Sequence, residues 1–158
     1  ESALNYTGDS STPDVTALSA ERNLLARARQ LVIFALGRAK EVYGDTLVAE
    51  QEVLGHVADI VTEVYALQSA LLRTEKFIAS RTDADSATPI DITRVYASDA
   101  ADRMEHSAKQ VVAALADASE AADLLDGVRG LTRHPAFNTV AARRRIADSV
   151  IKAGRYFL

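Results

Sequence analysis

The 158-residue chain has no cysteine. That absence excludes a disulfide scaffold, a thiolate zinc site and a cysteine nucleophile, and it suits a reducing compartment. No apolar run approaches the ~18 residues of a membrane span, and no basic start leading into an apolar core marks a secretory signal. Proline is scarce, with three residues in all, at positions 13, 89 and 135, none of them inside a stretch of helical character. No strand alternation and no internal repeat is present. Signatures of chemistry are missing as well. No serine sits in a Gly-x-Ser-x-Gly turn. Gly127 and Gly130 lie within and at the end of a helical pattern, with no strand ahead of them to build a phosphate-cradling loop.

What is present is ordinary for a globular domain: 48% hydrophobic and 25% charged residues, enough apolar surface to form one core at this length. The net charge of −4 conceals an asymmetry. From Gly127 onward there are seven basic residues and one acid, Asp148, so that end is +6 and the remainder −10. Such a basic end can dock on a polyanion or pair internally with neighbouring helices, and internal pairing is the commoner outcome. The chain begins with Glu1 rather than methionine, which suggests a processed product or a piece of something longer.

Residues 1–15 are short, polar and turn-rich, and read as a flexible lead-in; residues 16–158 read as a single all-α domain. Five helices are expected, over about 17–43, 47–78, 91–116, 119–131 and 138–156. Together they make an antiparallel bundle of four long helices and one short one. The second is the expected central rod. At about 100° per residue its apolar side chains, including Val53, Val57, Ile60, Val61, Tyr65, Leu67 and Leu72, fill half the circumference, enough for two or three neighbours. Gly37, within the apolar stripe of the first helix, suggests a close helix crossing. Asp91 is the expected N-cap of the third helix, and Asn138 or Thr139 of the fifth.

Two polar stripes invite a metal reading: Glu52, His56, Asp59 and Glu63 on the second helix, and Asp99, Asp102 and His106 on the third. Di-iron bundles, however, use Glu-x-x-His pairs aimed inward. Here the spacings are Glu-x-x-x-His and Asp-x-x-x-His, opposite the apolar arcs, so a solvated face is favoured and no metal ligand is assigned. His134 lies in a loop without an evident partner. Arg143, Arg144 and Arg145 lack interleaved aromatics and a groove-reading element, which argues against nucleic acid. A basic amphipathic helix on an anionic membrane surface stays open. On the fifth helix Arg143 falls near the middle of an apolar arc set by Val140, Ile146, Ala147, Val150, Ile151 and Phe157, while Arg145 points away. A guanidinium facing a core needs a carboxylate. One of the inward acids of the second helix is therefore the expected partner of Arg143: Glu50 if the fifth helix runs parallel to the second, Glu75 if it runs antiparallel.

Three runs taken together carry a resemblance: AEQEVLGHVADIVTEVYALQSALLRTEK, RVYASDAADRMEHSAKQVVAAL and VAARRRIADSVIKAGRYFL. They resemble the C-terminal helical domain of acyl-CoA dehydrogenases of the very-long-chain type, over about residue 23 to the C-terminus. The resemblance implies a parent enzyme that oxidises acyl-CoA thioesters to 2-enoyl-CoA with FAD. The catalytic glutamate and flavin site would lie in a preceding dehydrogenase core, so no catalytic, cofactor-binding or metal residue is carried over. It also implies a non-catalytic role in packing, subunit assembly or docking, and a cytoplasmic location, at most peripheral to the inner membrane face. The core, and further copies of the chain, are the implied partners. A domain of that kind should expose apolar surface on the first helix or beside the second. The alternative is a free-standing helical adaptor or membrane-surface module.

Overall fold

Five stretches place apolar residues at helical spacing, and each becomes a helix in the computed structural model, which describes residues 17–80 and 86–154. The expected lead-in, residues 1–15, and the end of the last helix beyond Gly154 lie outside the described residues. α1 (Ser19–Tyr43) buries Leu24, Ala28, Leu31, Ala35 and Ala39 along one stripe. It stops at Gly44, whose φ of +55° suits a residue without a Cβ. Lys40 Nζ caps that end, 2.9 Å from the Gly44 carbonyl oxygen, where a cation complements the helix dipole. A 3-10 turn (Gly44–Ala49) follows, so the second long helix begins at Gln51 rather than at Leu47.

α2 (Gln51–Ala79) runs antiparallel to α1. The Arg22–Glu75 ion pair, 2.7 Å, ties the start of one to the end of the other. α3 (Ala87–Leu115) starts earlier than expected. Pro89 sits in its first turn, where its missing N–H leaves no intrahelical bond unmade. Asp91 is thus a buried residue inside the helix rather than its cap. α4 (Ala121–Thr132) follows a turn in which Asp117 Oδ1 accepts hydrogen bonds from Ser119 and Glu120. α5 (Thr139–Ala153) is capped by Asn138, whose Oδ1 accepts from the Ala141 N–H at 2.9 Å, one of the two caps expected.

The centre of the bundle is α3, not α2. It packs against α1, α2, α4 and α5, whereas α2 packs mainly on α1 and α3. Small side chains make this possible: Ala97, Ala100, Ala101, Ser107 and Ala108 are all buried, so neighbouring helices approach closely around Met104. α4 and α5 run in the same direction along α3. Thr132 lies beside Glu105, Arg143 beside Asp99, Arg145 beside Asp91 and Ser149 beside Thr88. The core side chains Leu24, Leu31, Ile60, Leu67 and Met104 are fully buried, each contributing about 1.5–3 kcal/mol from removal of apolar surface from water. Gly37 faces open space, with nothing within 4 Å of an added Cβ, so among the described residues no helix crosses there.

Candidate functional site

Because α2 packs mainly on two helices, half its circumference is more apolar surface than its neighbours cover. Val61, Tyr65 and Leu72 lie within 40° of one another on the helical wheel and are 45%, 73% and 57% exposed. On α1, Ile33 and Leu36 are exposed as well. The Arg22–Glu75 register sets Leu36 level with Val61, and Ile33 level with Tyr65. Leu36 borders the buried stripe of α1, whereas Ile33 lies on the outer side of that helix, nearly opposite the stripe. With the α2 residues they form an apolar face across α1 and α2, the exposed surface expected of these two helices.

The polar stripes of α2 and α3 meet along a cleft of about 470 Å³, lined by Asp59, Thr62, Glu63, Asp102, Arg103 and His106 among others. Its organising group is Glu63. Arg103 donates to both carboxylate oxygens, at 2.6 and 2.8 Å, and the Tyr96 hydroxyl donates at 2.7 Å. The Arg103 guanidinium also stands 5.5 Å from the Tyr96 ring centroid, within cation–π range. Arg103, helped by Tyr96 and opposed by burial, holds the Glu63 carboxyl below its ordinary value. Burial, then the neighbouring carboxylate, pushes the Tyr96 hydroxyl up to about 12. Glu63 is thus committed to an arginine and a phenol. Among the described residues no group of three or more histidines and acids is placed to hold a metal. The solvated-face reading fits Glu52, Asp59, Asp102 and His106, which are exposed, but not Glu63. His56 is half-buried, with its Nδ1 shut away from solvent.

The ion pairs expected at the last helix are replaced by others. Arg143 Nη2 donates to Asp99 at 2.6 and 2.8 Å, not to Glu50 or Glu75. Glu75 is held by Arg22, and Glu50 is the N-cap residue of α2. The cause is packing. α5 lies on α3, so the acids within reach belong to α3. The buried side of α5 is centred on Ala142; Arg143 and Arg145 flank that side, and Val140 and Ile151 turn to solvent. Arg145 does not point away but grips Asp91 with Nε and Nη2, at 2.8 and 2.9 Å. With Arg129 on Asp126, these contacts pair much of the basic end internally.

One relationship left no mark in the sequence. His134, after α4, is buried against Glu21 in the first turn of α1, Nε2 to Oε1 at 3.4 Å. Burial alone would raise the Glu21 carboxyl. The contact with His134, the residue's own amide and the charge of Arg94 together hold it below its ordinary value. Periodicity could have placed Glu21 on the buried side of α1, but nothing in the spacing points to a loop histidine so far along the chain.

No helix among the described residues is long and apolar enough to cross a membrane. Residues 27–130 match the family model described as acyl-CoA dehydrogenase, C-terminal domain. A probable acyl-CoA dehydrogenase of Bacillus subtilis (strain 168) is 33% identical over 144 residues, 91% of this chain and 24% of that protein. The crystal structure of an acyl-CoA dehydrogenase complexed with FAD from Bacillus anthracis superposes with a TM-score of 0.86 at 31% identity, covering 96% of this chain and 25% of that one. The chain therefore spans about a quarter of the length of these relatives. With the family model matching well over half of its residues, the chain belongs to the acyl-CoA dehydrogenase C-terminal domain family.

Proposed function

We propose that this chain is the non-catalytic packing domain of a cytoplasmic, FAD-dependent acyl-CoA dehydrogenase of fatty acid β-oxidation, and that it docks on the dehydrogenase core through the α1–α2 face. The observation that carries this reading is the apolar face of Ile33, Leu36, Val61 and Tyr65, which the bundle itself leaves uncovered. A contiguous apolar patch on a folded domain marks an interaction surface. The relatives, four times as long, supply a candidate for what covers it. Gly37, one turn beyond Ile33 with no Cβ, would let a partner approach the α1 backbone closely.

The clefts among the described residues do not suit a flavin dinucleotide, so no oxidation step is assigned to them. Asp59, Glu63 and Asp102 line the α2–α3 groove and would repel a pyrophosphate. The cleft between the end of α2 and the start of α3 is about 100 Å³, below the roughly 300 Å³ at which small-molecule pockets begin. The cleft between α1 and α4 offers no aromatic or large aliphatic side chain to a flavin ring.

The test is binding of the 158-residue chain to the separately produced core of its parent enzyme, followed by sedimentation velocity. The wild-type chain should form a complex that Val61→Asp and Tyr65→Ser abolish, with the fold intact by circular dichroism. Failure of the wild-type chain to bind, or equal binding by both variants, would overturn the docking role. Stoichiometric flavin co-purifying with the chain alone would overturn the non-catalytic one.

A further inference from the structure

The end of α4 brings Arg133 beside Arg27 of α1. Arg27 Nη2 donates to the Arg133 carbonyl oxygen. Its Nε is closed off from solvent without a hydrogen-bond partner. Three other arginines at helix contacts of this bundle meet an acid, Arg22 with Glu75, Arg38 with Glu120 and Arg103 with Glu63, while Arg94 donates, like Arg27, to a backbone carbonyl, that of Ala17. Neither Arg27 nor Arg133 has a carboxylate partner among the described residues. Burial, and then the like charge of Arg133, pull the Arg27 guanidinium below its ordinary range. The two side chains share a cleft of about 460 Å³ with Ser19, Asn23, Gly130 and Pro135. Gly130 leaves that wall low, with nothing within 4 Å of a Cβ built there.

We propose that this cleft binds a phosphate-class oxyanion between Arg27 and Arg133. Charge balance selects the class. Two adjacent guanidiniums present about two positive charges. A carboxylate offsets one of them, whereas a phosphate monoester carries about −1.5 to −2 at neutral pH. The planar fork of arginine matches phosphate oxygens two at a time. The anion relieves the repulsion between the two cations, and with Arg27 Nε closed off from solvent the Nη groups are the donors left to meet it. The Asn23 amide stands at the rim as a further donor. This site lies apart from the α1–α2 face and does not depend on what that face binds.

The experiment follows arginine Nε–Hε resonances in ¹H–¹⁵N spectra of the chain while inorganic phosphate is added at constant ionic strength. Saturable shifts are expected at Arg27 and Arg133. Arg27→Gln and Arg133→Gln should each weaken binding by about tenfold, the loss of one charge-assisted hydrogen bond, with Arg144→Gln binding as wild type. Arg133 is exposed, so its variant keeps the fold even where the Arg27 variant does not. A flat response to phosphate, or undiminished binding by Arg133→Gln, would overturn the site. An equal response to acetate would overturn the phosphate class. Vesicles containing phosphatidic acid, whose headgroup is a phosphate monoester, then separate the sources of that shared chemistry. Co-sedimentation lost in Arg133→Gln places the phosphate on a lipid headgroup; phosphate binding without co-sedimentation places it on a soluble ester.

Discussion

Glu21 and His134 form a buried pair, their side chains 5% and 6% exposed, that fastens the loop after α4 to the first turn of α1. With the Glu21 carboxyl held below its ordinary value of 4.5, the contribution of this pair is present above that pH and is lost as pH falls through the lower, folded-state value. Chemical denaturation across an acid pH series should show it as a fall in stability below about pH 4.5 that Glu21→Gln flattens. His134→Ala, which leaves the carboxylate buried without that partner, should cost about 2–3 kcal/mol at neutral pH. The exposed His106→Ala should cost at most ~0.5. Equal effects at the two histidines would show that the pair contributes nothing.

Tyr96 supplies the test at the opposite end of the pH scale. Its hydroxyl, pushed from 10.0 to about 12, stabilises the fold fully below pH 10. That contribution is lost as pH rises through about 12, since a raised folded-state value means the unfolded chain releases the proton first. Phenolate absorbance should therefore show one tyrosine titrating late, and Tyr96→Phe should remove that step. Glu63→Gln weakens the hold of Arg103 and the phenol together and should cost about 1–3 kcal/mol, measured by urea unfolding near neutral pH. A late step that survives in Tyr96→Phe would place it on another residue.

The arginines of α5 should rank in the reverse of the order that helical spacing suggests. Arg143 and Asp99 are 49% and 38% exposed, so Arg143→Ala should cost about 0–1 kcal/mol, the range of a surface pair. Arg145 is itself exposed, but its carboxylate is not: the Asp91 side chain is 11% exposed. Removing Arg145 leaves a buried acid without its bidentate partner, so Arg145→Ala should lower the melting temperature more than Arg143→Ala does. A larger effect at position 143 would contradict the α3–α5 packing.

That reversal shows what the sequence could and could not disclose. The spacing of Leu24, Ala28, Leu31 and Ala35 fixes a helix and its buried side, because both follow from local geometry. Which helix covers that side is a non-local fact. α2 advertises the widest apolar arc and reads as the centre, yet part of that arc, Val61, Tyr65 and Leu72, is surface. α3 reads as weakly apolar because its spine is Ala97, Ala100, Ala101 and Ala108, and those small residues are what let it hold the middle. Arg143 was legible as paired and illegible as to partner for the same reason. The exposed face of α1 and α2 was legible in outline, since an arc wider than its neighbours can cover must surface somewhere.

Gly37 joins the fold to the proposed docking. Its place in the interior of α1 costs about 0.5–1 kcal/mol relative to alanine, and no contact among the described residues compensates, since an added methyl meets nothing within 4 Å. Gly37→Ala should therefore stabilise the isolated chain by that amount, a rise of about 1–4 °C in melting temperature at this size. Gly55, equally open on α2 but well before Val61 and Tyr65 along that helix, is the control and should behave alike. The two should part when the core of the parent enzyme is present. A methyl beside Ile33 stands where a partner would approach α1, so Gly37→Ala should weaken that complex while Gly55→Ala leaves it unchanged. Stabilisation with undiminished binding in both would move the contact off α1 and onto Val61, Tyr65 and Leu72 alone. Destabilisation of the isolated chain by Gly37→Ala would mean that the space beside this glycine is not open.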